Sequence, residues 1–317
     1  MSVLAKYEGV RRLYATRTRT GIPQADTRYI RRKWLDVPFA NGCPRALLDI
    51  YLPNDGDGPF PVILFAHGGG FFAGDKRTWA LYPPLEGLKR GYAVCAFNYT
   101  LTGEALFPRQ IRESKAALRF IRANAAEYNL DTSCVIAWGM SAGANLAAML
   151  AVTGHDRFSE LEDLAMGSPD QPHHVDACMV WYCPTNLASL ADFALADVEP
   201  AALHAGPDAV MSWYFGMDEE TVPAELLDLA NPETYVSPAA PPFVIQHGKA
   251  DQTVPYVQSV RLADKLKAAI GEDRVKLTIF DDYIHADRRF DTMHNCSIIL
   301  DQLECLLGRD RRTTGRD

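Results

Sequence analysis

The sequence predicts an α/β protein in which helices cover both faces of a mostly parallel, eight-stranded sheet. Three observations support this fold class. From residue 61 onward, short continuous apolar runs alternate with longer amphipathic segments, and strands buried on both faces of a parallel sheet require such runs. Two shorter segments with alternating polarity precede them and are typical of antiparallel strands. A length of 317 residues suits one α/β domain with an insertion.

The first 33 residues are expected to form a helical extension. Apolar side chains between Val3 and Tyr14 give an amphipathic stretch, and a basic, turn-rich connector follows at Thr16–Lys33. The next two segments, Trp34–Phe39 and Ala46–Leu52, alternate in polarity and predict an antiparallel strand pair. A glycine- and aspartate-rich cluster at residues 54–58 then predicts a turn.

The rest of the chain divides into strands and helices by the length and period of its apolar segments. The predicted buried strands are Val62–Ala66, Tyr92–Phe97, Cys134–Trp138, Ala177–Tyr182, Phe243–Gln246 and Val275–Phe280. The predicted helices are Leu85–Lys89, Pro108–Tyr128, Ala142–Val152, Pro255–Ile270 and Asp291–Leu307, with Asp291 as the N-cap of the last. The alternation predicts a series of strand–helix units.

One long segment interrupts this series, at about residues 184–237. It contains several prolines and two short apolar stretches, Leu187–Phe193 and Ala209–Phe215. Connections of this length are uncommon in a compact domain unless they have a function of their own. We therefore predict a small helical lid over an active site.

Composition excludes several functional classes. Apolar residues make up 48% of the chain and charged residues 23%, as in globular proteins with a sizeable core. The net charge of −8 predicts no general affinity for nucleic acid or anionic membranes. No apolar run is long enough for a signal-peptide core or a bilayer span, which predicts a cytoplasmic protein. The seven cysteines lack C-x-x-C spacing and are expected to be buried thiols.

Ser141 is the candidate nucleophile. It stands at the centre of a Gly-Met-Ser-Ala-Gly segment at residues 139–143, between a predicted strand and a predicted helix. A sharp strand–helix turn can expose a serine hydroxyl, and it needs small residues on both sides of the serine. Gly139 and Gly143 meet this requirement. The motif is short enough to arise by chance, so its position between a predicted strand and a predicted helix is the stronger evidence.

A second motif, the His-Gly-Gly-Gly run at residues 67–70, follows the predicted strand Val62–Ala66 directly. Consecutive glycines let backbone N–H groups point into a concave site, where they can stabilise the oxyanion of a tetrahedral intermediate. We assign the N–H groups of Gly69, Gly70 and Ala142 to an oxyanion hole. His67 is expected to hold the glycine loop in place.

An activated serine needs a histidine base and an acid that orients it, and in this type of fold both follow the serine in the chain. Asp251 follows the strand Phe243–Gln246 and is the candidate acid, with Asp281 and Asp282 as alternatives. His285 lies in a loop after the last strand and is the candidate base, because the alternative His294 falls within the terminal helix. The pair His173-His174 lacks a third ligand at useful spacing, so we expect it on a surface loop and predict no metal site.

These motifs resemble the acetyl and feruloyl esterase branch of the α/β-hydrolases, which is related to hormone-sensitive-lipase-like esterases. The resemblance extends from about residue 37 to the end and is carried by HGGGFFAGDK, WGMSAGANLAAML and HGKADQTVP. The segment Ile284–Phe290 is similar to that branch's loop bearing the catalytic histidine, which supports His285. The chain departs from the branch at Tyr283-Ile284, where a glycine often precedes this histidine. The resemblance implies an α/β-hydrolase fold and a preference for short, acetyl-type acyl groups.

The sequence therefore predicts a serine carboxylesterase that needs no cofactor and acts on a small-molecule ester, with acetylated or feruloylated carbohydrate as candidate substrates. Four aromatic residues at the carboxyl ends of strands are candidate substrate contacts: Phe71, Phe72, Trp181 and Tyr182. Two alternatives stay open. One is another serine hydrolase on the same fold, such as an arylformamidase or a peptidase, and the other is a non-catalytic ligand-binding homologue.

Overall fold

A computed structural model of the protein describes residues 23–155, 158–190 and 210–309. Within these residues, eight strands form one sheet. The strands are β1 (Lys33–Pro38), β2 (Leu47–Tyr51), β3 (Phe60–Ala66), β4 (Ala93–Phe97), β5 (Leu130–Met140), β6 (Ala177–Trp181), β7 (Phe243–Gly248) and β8 (Val275–Phe280). The predicted amphipathic helix near the N-terminus lies outside the described residues.

The sheet has the order β1-β2-β4-β3-β5-β6-β7-β8. Strand β2 pairs antiparallel with both β1 and β4, and the remaining pairs are parallel. The predicted mostly parallel, eight-stranded sheet is confirmed, including the antiparallel pair at one edge. Because parallel strands end at the same edge, the loops that follow β3, β5, β7 and β8 come together there.

Seven α-helices are described, and 3-10 turns connect several of them. They are α1 (Tyr82–Leu85), α2 (Arg109–Ala123), α3 (Ala142–Val152), α4 (Val210–Phe215), α5 (Ala224–Leu229), α6 (Val257–Ile270) and α7 (Met293–Leu306). In this part of the chain, no helix is long and apolar enough to cross a bilayer. The predicted lid segment supplies α4 and α5, while its residues 191–209 lie outside the described residues.

Two buried layers flank the sheet, because successive side chains of each strand face opposite sides. One layer packs the strands against α2, α3 and α6, and the other packs them against α1 and α7. Six of the seven cysteines are buried free thiols, as predicted, and Cys305 is exposed.

Four of the five predicted helices have different bounds in the structure, and the one predicted at Pro255–Ile270 begins two residues later, at Val257. The helix predicted at residues 85–89 is a series of short pieces from residue 79 to residue 90, because Pro83 and Pro84 lack the N–H groups that a longer helix needs. Helix α2 ends at Ala123, where the Asn124 side chain donates to the Phe120 carbonyl oxygen at 2.8 Å. The N-cap of α7 is Thr292, whose hydroxyl accepts from the Asn295 N–H, and not Asp291.

Candidate active site

Ser141 lies on the sharp turn between β5 and α3. Its backbone has φ 53° and ψ −123°, a conformation that is strained for any residue other than glycine. The turn is closed by close backbone contacts: a Cβ on Gly139 would collide with the Gly143 carbonyl, and one on Gly143 with the Ala66 carbonyl. The Ser141 N–H donates to the Trp181 carbonyl oxygen at 3.0 Å, which ties the turn to β6. The hydroxyl is thereby held at the edge of the sheet.

His285 reaches Ser141 from the loop that follows β8. Its Nε2 lies 2.9 Å from Ser141 Oγ, and its ring packs edge-on against Tyr182 with centroids 4.7 Å apart. The His285 side chain is 18% exposed, so a substrate can approach it while the ring stays oriented. His294, the alternative base, is exposed in the first turn of α7.

Asp251 lies in the loop after β7 and is fully buried. Its Oδ2 accepts from His285 Nδ1 at 2.8 Å, and its Oδ1 accepts from the N–H groups of Thr253 and Val254, both at 2.8 Å. Burial acts to raise the pKa of Asp251, but the charge of His285 and the hydrogen bonds from His247 and His285 outweigh it. The pKa of Asp251 is therefore held well below its ordinary value, and the carboxylate stays ionised.

Backbone hydrogen bonds join the loop of Asp251 to the loop of His285. The Lys249 N–H donates to the Phe280 carbonyl oxygen at 2.8 Å, and the Ala250 N–H donates to the Tyr283 carbonyl oxygen at 3.1 Å. These bonds fix the distance between the acid and the base. The two alternative acids lie apart from this arrangement: Asp281 is exposed and pairs with Lys249, and Asp282 pairs with Arg289.

The glycine loop after β3 faces Ser141 across a cavity. Gly69 and Gly70 have φ values of 123° and 58°, and a Cβ on Gly69 would collide with the Ala73 carbonyl. The Gly69 carbonyl accepts from the Phe72 and Ala73 N–H groups, which closes the turn. Within the described part of the chain, the N–H groups of Gly69, Gly70 and Ala142 have no hydrogen-bond acceptor. They are free to donate to a substrate oxygen.

His67 packs beneath the glycine loop. Its ring stacks on Tyr99 with centroids 4.4 Å apart, and its Nδ1 lies 2.8 Å from the Gly68 carbonyl oxygen. A carbonyl oxygen only accepts, so Nδ1 carries the proton. Burial lowers the pKa of His67 to about 4. The neutral ring fits the predicted structural role.

A cavity of about 370 Å³ opens beside Ser141. Most side chains that line it are apolar, and among the described lining residues none carries a fixed charge. The predicted lid segment contributes five residues that were not predicted to line it: Pro184, Leu187, Leu190, Val210 and Met211. The short apolar stretches that contain the last four were visible in the sequence, but nothing local indicated which side chains face the cavity.

Three of the four aromatic residues predicted to contact substrate line this cavity, namely Phe71, Phe72 and Tyr182. The prediction for Trp181 is wrong. Its side chain is fully buried in the layer that packs against α1 and α7, where it contacts Trp138 and Phe290 with centroids 5.4 and 5.5 Å away and does not line the cavity. As the last residue of β6, Trp181 keeps the strand alternation, whereas Tyr182 has a positive φ of 40° and leaves it.

The described residues contain no group of three or more histidine, cysteine or acidic side chains able to hold a metal ion. The expected surface position of His173 is wrong. Its side chain is 4% exposed, and its Nε2 lies 3.2 Å from a Glu162 carboxylate oxygen. This carboxylate also pairs with Lys115 and Arg119, so the cluster is a buried ion-pair network.

The chain is similar to known esterases in sequence. Residues 48–266 match the family model described as BD-FAE. The chain is 29% identical to the esterase LipQ of Mycobacterium tuberculosis over 241 residues, which are 74% of this chain and 52% of LipQ. It is also 29% identical to the probable carboxylic ester hydrolase LipM of the same organism, over 69% of this chain and 48% of LipM. The chain thus spans about half the length of these relatives.

Solved structures resemble the chain over more of its length than LipQ and LipM do. A truncated carbohydrate esterase from gut microbiota superimposes with a TM-score of 0.75 at 27% identity, covering 88% of this chain and 99% of the other. A bifunctional GH43-CE protein of Bacteroides eggerthii gives a TM-score of 0.73 at 28% identity, covering 86% of this chain and 35% of the other. The fold is therefore that of the α/β-hydrolase esterases.

Proposed function

The chain belongs to the BD-FAE family of α/β-hydrolases, and from this premise we propose that it is a serine carboxylesterase with Ser141, His285 and Asp251 as its catalytic triad. One observation carries the proposal: an unbroken chain of hydrogen bonds runs from Ser141 Oγ through His285 to Asp251 beside an open cavity. An activated hydroxyl, a base and an ionised acid in this order are the requirements of nucleophilic acyl transfer.

Acylation begins when Ser141 Oγ attacks the carbonyl carbon of a bound ester. His285 Nε2, 2.9 Å away, takes the hydroxyl proton as the new C–O bond forms. The Asp251 carboxylate holds the Nδ1–H tautomer, which leaves Nε2 free to accept, and it stabilises the imidazolium that results. The imidazolium then protonates the leaving alkoxide, and an acyl-Ser141 intermediate remains.

The negative charge on the carbonyl oxygen is stabilised by the N–H groups of Gly69, Gly70 and Ala142. Ala142 is the first residue of α3, so the positive end of the helix dipole adds to its N–H group. In the second half of the reaction, His285 removes a proton from water, and the hydroxide attacks the acyl carbon. Collapse of the second tetrahedral intermediate returns the proton to Ser141 and releases the acid.

The substrate that we propose is an uncharged ester with a short, acetyl-type acyl group. The apolar lining favours a neutral acyl group over a charged one, because burying an unpaired charge there is unfavourable. The likeness to a carbohydrate esterase and a GH43-CE protein supports a carbohydrate as the alcohol part of the ester, acetylated or feruloylated. Phe71, Phe72 and Tyr182 are the proposed aromatic contacts.

The test is an assay panel with the purified full chain and a Ser141→Ala variant. The panel contains p-nitrophenyl acetate, acetylated xylo-oligosaccharide, a feruloyl ester, a formyl amide and a peptide. We expect hydrolysis of the esters by the parent and a loss on the order of 10⁴-fold or more in the variant. Faster turnover of the formyl amide or the peptide would favour the other serine hydrolases, and turnover of no substrate would favour a binding protein.

A further inference from the structure

His247 is a buried histidine that the proposed mechanism does not use. It lies near the end of β7, four residues before Asp251, and both side chains are fully buried. Its Nε2 is 3.1 Å from Asp251 Oδ2 and 3.0 Å from the Val254 carbonyl oxygen, and its Nδ1 is 2.7 Å from Ser259 Oγ. Two histidine rings therefore contact the same carboxylate oxygen, because His285 Nδ1 also lies 2.8 Å from Oδ2.

The contacts of His247 determine where its proton lies. The Val254 carbonyl oxygen and the ionised Asp251 carboxylate only accept hydrogen bonds, so Nε2 must carry a hydrogen and donate to both. In the neutral ring, Nδ1 then carries no hydrogen and accepts a hydrogen bond from the Ser259 hydroxyl. A neutral ring satisfies every contact, and Ser259 holds it in this tautomer.

We propose that His247 is a positioning residue for the acid: its Nε2–H fixes the rotamer and the charge of Asp251 so that one carboxylate oxygen meets His285 Nδ1. The proposal rests on the catalytic triad proposed above. Four donors surround the carboxylate, with Thr253 and Val254 N–H on Oδ1 and the two rings on Oδ2. The bond from His247 to the Val254 carbonyl also closes the turn that presents two of these donors.

Among the described residues, few ionisable side chains contact Asp251 or its neighbours. His247 on β7 and His285 in the loop after β8 contact Asp251 directly. Tyr182, in the loop after β6, packs against His285, and burial raises its pKa well above the ordinary value, so it stays neutral. Ser259 on α6 is the remaining polar contact of His247 and does not titrate. A change at position 247 is therefore transmitted through Asp251.

The experiment compares His247→Leu, His247→Gln and Ser259→Ala in the full chain. Leucine removes the donor, whereas glutamine can place an amide N–H where Nε2 lies. We expect His247→Leu to lower kcat by roughly 10- to 100-fold with little change in KM, the size of one hydrogen bond to a charged group. His247→Gln should recover most of this loss, and Ser259→Ala should lose less than His247→Leu. Leu266→Ala is the matched control, because it removes buried packing from α6 outside the site.

The pH profile separates positioning from simple loss of stability. A carboxylate with one donor fewer holds a proton on the neighbouring imidazole more strongly, so the acid limb of kcat/KM should move to higher pH in His247→Leu. Leu266→Ala should lower the melting temperature and leave this limb in place. A His247→Leu enzyme with parental kcat and acid limb would overturn the proposal, as would a His247→Gln enzyme as slow as the leucine variant.

A second readout does not depend on ester hydrolysis. The His285 Nδ1–H that is hydrogen-bonded to Asp251 should give a far-downfield proton resonance in the NMR spectrum, and this resonance should be lost in Asp251→Ala. We expect His247→Leu to shift or broaden it and Leu266→Ala to leave it unchanged. An unchanged resonance in His247→Leu would overturn the positioning role even if the parent hydrolysed no ester, a result that would separately refute the proposed function.

Discussion

Replacing Asp251 by asparagine exchanges one carboxylate oxygen for an amide nitrogen. This should reverse the direction of the hydrogen bonds that Asp251 forms with His247 and His285. The N–H groups of Thr253 and Val254, each 2.8 Å from Oδ1, would hold the new amide oxygen at that position. The amide nitrogen would then take the place of Oδ2 and would point its hydrogens at the two rings, 3.1 Å from His247 Nε2 and 2.8 Å from His285 Nδ1.

His285 can avoid this conflict only by moving its proton from Nδ1 to Nε2. Nε2 lies 2.9 Å from Ser141 Oγ and, once protonated, can no longer accept the serine proton. We expect kcat to fall by about 10⁴-fold with KM little changed, which corresponds to about 5 kcal/mol of transition-state stabilisation.

The assay is steady-state hydrolysis of p-nitrophenyl acetate from pH 5 to pH 9, with Asp281→Asn as the matched control. Asp281 is an exposed acid near the same loops that pairs with Lys249, so its replacement should leave kcat at the parental value. An Asp251→Asn enzyme that keeps more than about a tenth of the parental kcat would refute the orienting role of Asp251.

Three further predictions follow from the geometry. A Gly143→Ala chain would press a Cβ against the Ala66 and His67 carbonyls; we expect a destabilisation of about 3 kcal/mol in urea unfolding and a kcat at least about 100-fold lower, and parental values of both would contradict the close packing of the turn. In a series of p-nitrophenyl esters, kcat/KM should be highest for short acyl chains, and a maximum at eight carbons or longer would contradict the proposed acyl preference. Burial raises the pKa of Asp291 to about 7, so this group destabilises the folded state increasingly as the pH rises from about 4 to about 7. Asp291→Asn should therefore raise the melting temperature at pH 8 and have little effect at pH 4, and equal shifts at both values would refute the buried-acid assignment.

The sequence located the parts of the site that depend on local order along the chain. Ser141 and Asp251 each follow an apolar run that becomes a strand, and parallel strands bring such positions to one edge of a sheet. The choice of His285 over His294 followed from the difference between a loop and a helix, which capping and apolar period indicate. These are short-range signals. In the structure, all three residues lie where the sequence predicted them relative to the strands and helices.

The errors arose where a side chain's direction depends on contacts far away in the sequence. Trp181 and Tyr182 are neighbours, but only the second has the positive φ that turns it toward His285. The contact between Asp251 and His247 was not predicted, and His247 in turn contacts Ser259 on α6, which no local pattern links to Asp251. Asp291 and Thr292 can both cap a helix, and in the structure it is the Thr292 hydroxyl that accepts from the Asn295 N–H.

Covalent labelling tests whether Ser141 is the nucleophile of an ester hydrolase. The full chain is treated with a fluorophosphonate probe, digested and analysed by mass spectrometry, with Ser141→Ala and His285→Ala in parallel. We expect one adduct on the peptide containing Ser141, slow labelling in His285→Ala and none in Ser141→Ala. Hydrolysis of p-nitrophenyl acetate should fall in the same order. An active enzyme that stays unlabelled, or that is labelled at another residue while Ser141→Ala keeps its activity, would contradict this role of Ser141.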